Sequence, residues 1–119
     1  MENATQTVML IEDNTDLVFV LQQLIEAAGY EVQVSLDGDD AWSKLERGEI
    51  HPDVILCDLS LPGIDGLTLL RRVRSHESTR QVRFIAMSGS IGEQTTSLNA
   101  GANQYLLKPF GIRELEDVL

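Results

Sequence analysis

The sequence has few of the features that mark secreted or membrane proteins. Its one cysteine, Cys57, cannot form an internal disulfide and, inside an apolar run, suits a small buried hydrophobic residue. No apolar stretch approaches the roughly 18 residues that a membrane-spanning helix needs. Residues 1–6 lack the basic and apolar regions of a secretory signal. We therefore expect a cytoplasmic protein without membrane association.

Basic residues are also scarce. The chain has 9 Lys and Arg against 19 Asp and Glu, which gives a net charge of -10. Binding to the phosphates of nucleic acid needs clustered Lys and Arg side chains. The only cluster, Arg71, Arg72 and Arg74, lies in a stretch with helical periodicity, and we interpret it as a solvated helix face. The sequence therefore predicts no direct nucleic-acid binding by this domain.

Apolar periodicity predicts strands that alternate with helices. With 119 residues there is room for one domain, residues 1–119. The predicted strands cover 7–11, 31–35, 53–57, 83–87 and 104–107. Two predicted helices begin after the caps Asn14 and Asp65. Three more cover 39–47, about 93–100 and 112–119. This alternation predicts an α/β domain with a parallel sheet, and we expect its first strand, apolar throughout, at the centre.

Three apolar runs end in ionisable residues that could take part in binding or catalysis. The first ends at Glu12-Asp13, another at Asp58 and the last at Lys108. Because the carboxyl ends of parallel strands meet at one edge, three carboxylates and one ammonium should converge there. That combination predicts a site for a hard cation and a phosphoryl group. Singly, these residues could be a helix-entry acidic pair, a turn aspartate and a surface lysine, but three acids at one edge repel unless a cation joins them.

The whole chain resembles the receiver domain of two-component response regulators, the CheY-like superfamily. The residues that carry the resemblance over 7–119 are Glu12-Asp13, segment 58–66, Ser88-Gly89 and Lys108-Pro109-Phe110. The resemblance implies a flavodoxin-like (βα)5 three-layer sandwich whose parallel sheet has the order 2-1-3-4-5. The last helix has room for about two turns before the chain ends. Since the family's helix is longer, we expect a receiver cut from a larger protein.

The site chemistry can also be argued without the family. A carboxylate can accept a phosphoryl group, and catalysis of that transfer is mainly positioning and electrostatic stabilisation. Mg²⁺ prefers one or two carboxylates, waters and phosphate oxygens. We therefore expect Asp58 as the phosphoacceptor, Asp13 as a direct Mg²⁺ ligand and Glu12 as a ligand mostly through water. Lys108 would pair with one phosphoryl oxygen, and the Ser88 hydroxyl would donate to another.

The resemblance implies further roles. It makes the backbone carbonyl of Ser60 a metal ligand, and it makes the peptide between Lys108 and Pro109 cis. It assigns Ser60 and Ser90 to the two positions that tune acyl-phosphate hydrolysis. Finally, it makes Tyr105 the aromatic residue that moves inward when Ser88 is drawn to the phosphoryl group, and we expect these two residues at the ends of adjacent strands.

The sequence thus predicts a signalling phosphoacceptor that catalyses only its own phosphorylation and slow dephosphorylation. Its donor would be a sensor histidine kinase or a histidine phosphotransfer domain. Its output would be altered binding on the face of the fourth helix and fifth strand. One such change would be the formation of a homodimer on phosphorylation. One alternative is a haloacid-dehalogenase-type phosphatase, but such enzymes need an aspartate where this chain has Ser60. The other is a degenerate receiver that serves only as a docking module.

Overall fold

The computed structural model of the protein describes residues 5–119, so residues 1–4 of the segment without secretory-signal features lie outside the described part. Strands and helices alternate along the described chain. The strands are β1 Thr7–Ile11, β2 Glu31–Ser35, β3 Val54–Asp58, β4 Arg83–Ser88 and β5 Gln104–Leu107. The helices are α1 Thr15–Ala27, α2 Gly38–Glu46, α3 Gly66–Ser75, α4 Glu93–Asn99 and α5 Ile112–Val118.

The five strands form one parallel sheet of order β2-β1-β3-β4-β5, which confirms the predicted flavodoxin-like topology. One face of the sheet packs against α2 and α3, through a cluster that includes Trp42 and Leu69. The other face packs against α1 and α5, through a cluster that includes Leu21 and Leu115. The result is a three-layer sandwich. Within residues 5–119, no helix is long and apolar enough to cross a membrane.

The expectation that β1 lies at the centre of the sheet is wrong. The central strand is β3, which is buried at all five positions and is hydrogen-bonded to β1 and β4. β1 is an interior strand between β2 and β3. Continuous apolar sequence indicates that a strand is covered on both faces, but it does not rank one interior strand against another.

The helix starts follow the predicted local chemistry. The Asn14 side chain accepts hydrogen bonds from the amides of Asp16 and Leu17, which lack partners within α1. Asp65 caps α3 by accepting from the amide of Thr68 at 2.8 Å. Two strands run one residue further than predicted, since β3 includes Asp58 and β4 includes Ser88. Both side chains are therefore fixed by the sheet rather than by loops.

The interpretation of the arginine cluster as a solvated face is wrong for Arg74. Arg71 and Arg72 are exposed, but Arg74 is half-buried and its guanidinium donates to three backbone carbonyls. Two of these are the carbonyls of Val82, at 2.6 Å, and Gly101, at 2.9 Å. Burial lowers the pKa of Arg74 from its ordinary value. Arg74 therefore ties α3 to the loops that enter β4 and β5.

Candidate functional site

Three carboxylates converge at the carboxyl edge of the sheet, as predicted. Glu12 and Asp13 follow β1, and Asp58 ends β3. The pairing of Ile11 with Cys57 aligns the two strand ends. One carboxylate oxygen from each of the three acids lies within 4.8 Å of the others. Glu12 and Asp58 are buried, at 1% and 4% exposure, whereas Asp13 is exposed to solvent.

Lys108 brings a positive charge to the same cluster. It directly follows β5, and its amide donates to the carbonyl of Ser88 at 2.7 Å. Its ammonium lies 2.6 Å from Oε1 of Glu12 and 3.3 Å from Oδ1 of Asp58. The peptide between Lys108 and Pro109 is cis, as the resemblance implies. The ammonium therefore compensates the two buried carboxylates together.

The local environment shifts the proton affinities of this pair. Burial raises the pKa of Glu12, and the hydrogen bond from Lys108 opposes that effect without cancelling it. Burial also disfavours the charged form of Lys108. The hydrogen bond to Glu12 and the charge of Asp58 outweigh that burial and raise the pKa of Lys108. Lys108 is thus held in its cationic form beside Asp58.

The donor set fits Mg²⁺. This ion takes one or two carboxylates and keeps several waters. The exposed Asp13 carboxylate forms no ion pair with any described residue, so it is available to a cation. Both oxygens of Glu12 are already engaged, one by Lys108 and the other by the amide of Asn14 at 3.1 Å. This arrangement suits the predicted division, in which Asp13 binds directly and Glu12 acts through water.

Ser88 is bonded to Lys108 through its backbone, but its hydroxyl is engaged elsewhere. It is the last residue of β4 and is 1% exposed. Its Oγ accepts from the amide of Ser90 at 3.0 Å and donates to the carboxylate of Glu93 in the first turn of α4. Sequence reasoning missed Glu93. Its only signal in the sequence is an acidic residue at a helix start, which is ordinary for any helix.

Tyr105 lies elsewhere than expected. It is the second residue of β5 and pairs with Ala86, whereas Ser88 pairs with Leu107. The prediction that Ser88 and Tyr105 both end their strands is therefore wrong for Tyr105. The half-buried ring packs against the apolar cluster on the α2 and α3 face, and its hydroxyl donates to the carbonyl of Ser90. The Tyr105 hydroxyl is therefore bonded to the loop after Ser88.

Two glycines fix the segment that follows Asp58 and contains Ser60. A Cβ on Gly66 would lie 2.4 Å from the carbonyl oxygen of Asp58. A Cβ on Gly38, at the start of α2, would lie 1.8 Å from the carbonyl oxygen of Ile64. Only hydrogen fits at either position, so the segment packs directly on two helix starts. Sequence reasoning missed Gly38, since no local pattern shows which distant backbone approaches it.

The loop after β4 is open by comparison. A Cβ on Gly89 would meet no other atom within 4 Å, and Ser90 beside it is exposed. Ser60, two residues after Asp58, is exposed as well. The position of Gly89 therefore has space for a side chain.

The sequence is similar to known response regulators. The sequence matches the profile of the response regulator receiver domain over residues 8–119. The transcriptional regulatory protein TrcR of Mycobacterium tuberculosis is 34% identical over 108 residues, which cover 91% of this chain and 41% of that protein. The chain spans about half or less of the curated relatives that it matches.

Two solved structures are also similar. A response regulator from Chloroflexus aurantiacus superposes with a TM-score of 0.89 at 34% identity, covering 96% of this chain and 93% of the other. The receiver domain of the sensor histidine kinase PA1611 from Pseudomonas aeruginosa gives a TM-score of 0.86 at 36% identity, with 97% and 94% coverage. That crystal structure has a magnesium ion coordinated in its active site cleft.

Proposed function

This chain belongs to the response regulator receiver domain family, and on that premise we propose that Asp58 is its phosphoacceptor. Receivers of two-component systems are signalling phosphoacceptors rather than conventional enzymes. One observation carries the assignment to Asp58. Its carboxylate is buried at the end of the central strand, with the Lys108 ammonium at 3.3 Å and the Glu12 and Asp13 carboxylates within 4.8 Å.

The transfer step follows from this geometry. A carboxylate oxygen of Asp58 attacks the phosphorus of a phosphohistidine, so an O–P bond forms as the N–P bond breaks. The imidazole nitrogen keeps the electron pair. The buried sheet end holds Asp58 in place, which supplies the positioning that phosphoryl transfer needs. Lys108 supplies a fixed positive charge beside the incoming oxygens, and its short contact with Glu12 keeps that charge at the site.

Mg²⁺, when bound, would neutralise charge on the phosphoryl oxygens. Asp13 and Asp58 would hold it directly, together with the backbone carbonyl of Ser60, and Glu12 would hold it through water. This use of the carboxylates is supported by the free side chain of Asp13 and by the two engaged oxygens of Glu12. Ser60 and Ser90, which are both exposed, would tune the lifetime of the acyl phosphate.

The phosphoryl donor would be a sensor histidine kinase or a histidine phosphotransfer domain in the cytoplasm. The output would be altered binding, including formation of a homodimer, on the face of α4 and β5. The choice of this face is supported by three exposed apolar side chains, Ile91, Leu98 and Leu107, at 72%, 39% and 42% exposure. Ser88 and Tyr105 would transmit the change to it. No direct contact with nucleic acid is proposed for this domain.

The test is covalent labelling with acetyl phosphate in the presence of Mg²⁺. We expect one phosphoryl group per chain, labile to hydroxylamine and located on Asp58 by mass spectrometry. Asp58→Asn should not be labelled. Asp53→Asn is the matched control, because Asp53 lies just before the opposite end of the same strand, and it should be labelled like the wild type. Equal labelling of Asp58→Asn would overturn the assignment.

A further inference from the structure

The Ser88 hydroxyl can donate only one hydrogen bond, and in this structure Glu93 receives it. A serine hydroxyl has one proton and two lone pairs. One lone pair accepts from the amide of Ser90 at 3.0 Å, and the proton goes to the Glu93 carboxylate. A phosphoryl group on Asp58 would need that same proton. Glu93 and the phosphoryl group therefore compete for one donor.

From this competition we propose that Glu93 is a positioning residue that holds the Ser88 hydroxyl in the unphosphorylated arrangement and opposes its capture by a phosphoryl group. The inference rests on the proposed role of Asp58. Both competing acceptors are anionic, and hydrogen bonds to anionic acceptors are about twice as strong as neutral ones. The bond from Ser88 to the phosphoryl group is therefore offset by the bond to Glu93 that must break. Glu93 is half-buried, so its released carboxylate can be hydrated.

The same residue connects Ser88 to Tyr105. The backbone amide of Glu93 donates to the carbonyl of Ser90 at 3.2 Å, and the Tyr105 hydroxyl donates to that same carbonyl oxygen. The side chain and the amide of Glu93 thus hold the chain between Ser88 and α4 at two points, Ser88 and Ser90. When the hydroxyl of Ser88 leaves Glu93, the loop that Tyr105 contacts loses its side-chain bond to the helix and keeps the backbone bonds from the amides of Glu93 and Gln94.

The start of α4 is suited to such a release. Its N-cap residue, Gly92, has no side chain and forms no side-chain cap. The helix has only seven residues, and Ser97 is its one buried residue. The bond from Ser88 to Glu93 therefore adds a side-chain contact to a first turn that is otherwise held by the backbone bonds from the amides of Glu93 and Gln94. Loss of that bond should loosen the first turn of α4 beside the face proposed for output.

The test measures the affinity for beryllofluoride, a phosphoryl mimic, by NMR titration in the presence of Mg²⁺. Glu93→Ala removes the competing acceptor, and we expect it to bind about tenfold more tightly than the wild type, which corresponds to about 1.4 kcal/mol. Glu93→Gln keeps an acceptor oxygen without the charge, and we expect an intermediate gain. In both variants the amide signals of Ser90 and Tyr105 should move toward their beryllofluoride-bound positions before any ligand is added.

A double-mutant cycle separates this role from a general effect of charge. In a Ser88→Ala background the hydroxyl is absent, so Glu93→Ala should change the affinity by less than twofold. An equal gain in both backgrounds would mean that Glu93 acts through its charge alone and would overturn the proposal, as would no gain in the Ser88 background. If wild-type protein binds no beryllofluoride at Asp58, the proposed function falls with it. If the wild type binds and the variants match it, only the role of Glu93 falls.

Discussion

Lys108 donates a hydrogen bond to Glu12 over 2.6 Å, although the two residues are 96 positions apart in the chain. The contact joins the end of β5 to the end of β1, which are not neighbours in the sheet. One ammonium faces three carboxylates at this edge, so an excess of negative charge remains without a metal ion. The pair therefore links the stability of the domain to the charge state of its site, and this link can be measured.

The first prediction removes the ammonium. Lys108→Met keeps the apolar stem but leaves Glu12 and Asp58 uncompensated. Without divalent cations, we expect a loss of about 2 kcal/mol in the free energy of unfolding by urea. This is less than the roughly 3–5 kcal/mol for breaking a fully buried pair, since the Lys108 side chain is 24% exposed.

Lys44→Met is the control for that measurement. Lys44 pairs with Asp40 at 2.9 Å within α2; the Lys44 side chain is 26% exposed, close to that of Lys108, but the Asp40 side chain is 46% exposed, whereas that of Glu12 is 1% exposed. Ion pairs with an exposed partner contribute at most about 1 kcal/mol. Similar losses for the two lysine variants would show that the ion pair of Lys108 and Glu12 contributes no more to the free energy of unfolding than the pair in α2.

The second prediction concerns pH. Burial raises the pKa of Glu12 above its ordinary value of 4.5, despite the hydrogen bond from Lys108. A carboxyl with a raised pKa holds its proton more tightly in the folded state than in the unfolded state. Its contribution to stability is complete below the ordinary pKa and is lost as the pH rises through the raised value. The Glu12→Gln variant has no carboxyl at this position, so its stability should not fall in this way as the pH rises.

Urea unfolding from pH 4 to pH 7, without divalent cations, checks the sign. The stability of Glu12→Gln relative to the wild type should rise across this range, because only the wild type must ionise a buried carboxyl. Lys108 keeps Asp58 as a partner in this variant, at 3.3 Å. Parallel stability curves for the two proteins would contradict the expected shift.

The third prediction concerns Mg²⁺ affinity, measured by calorimetry. Asp13→Ala should lose most of the affinity, since it removes the exposed carboxylate that we propose as a direct ligand. Glu12→Gln should lose less, because both oxygens of Glu12 are already engaged by Lys108 and the amide of Asn14. Asp16→Ala, which removes a nearby exposed carboxylate outside the cluster, should bind like the wild type. A larger loss for Glu12→Gln than for Asp13→Ala would reverse the proposed division of roles.

Much of this arrangement could be predicted from local patterns. The apolar runs that end at Glu12, Asp58 and Lys108 place these residues at strand ends, and parallel strands bring such ends together. The partners of Ser88 and Arg74 could not be predicted in the same way. A hydroxyl chooses among several acceptors after the loop has folded, and a guanidinium finds carbonyls that are distant in sequence. Local periodicity carries no information about either choice.

The fourth prediction uses a glycine pair. Gly38→Ala places a Cβ 1.8 Å from the carbonyl oxygen of Ile64, which is backbone and must move. Overpacking of this kind costs about 1–3 kcal/mol, and the displaced segment includes Ser60. We therefore expect both a lower free energy of unfolding and slower labelling of Asp58 by acetyl phosphate.

Gly89→Ala, in the loop after β4, is the counterpart at an open position. Its Cβ would meet nothing within 4 Å, and Gly89 is not among the residues with positive φ, so the backbone tolerates alanine. We expect its stability to stay within about 0.5 kcal/mol of the wild type, the usual range for surface substitutions. Any effect of Gly89→Ala should fall on the rate of labelling alone, because the added methyl group narrows the approach to Asp58. Equal stability of Gly38→Ala and Gly89→Ala would mean that the loop after Asp58 yields freely and that Gly38 does not fix it.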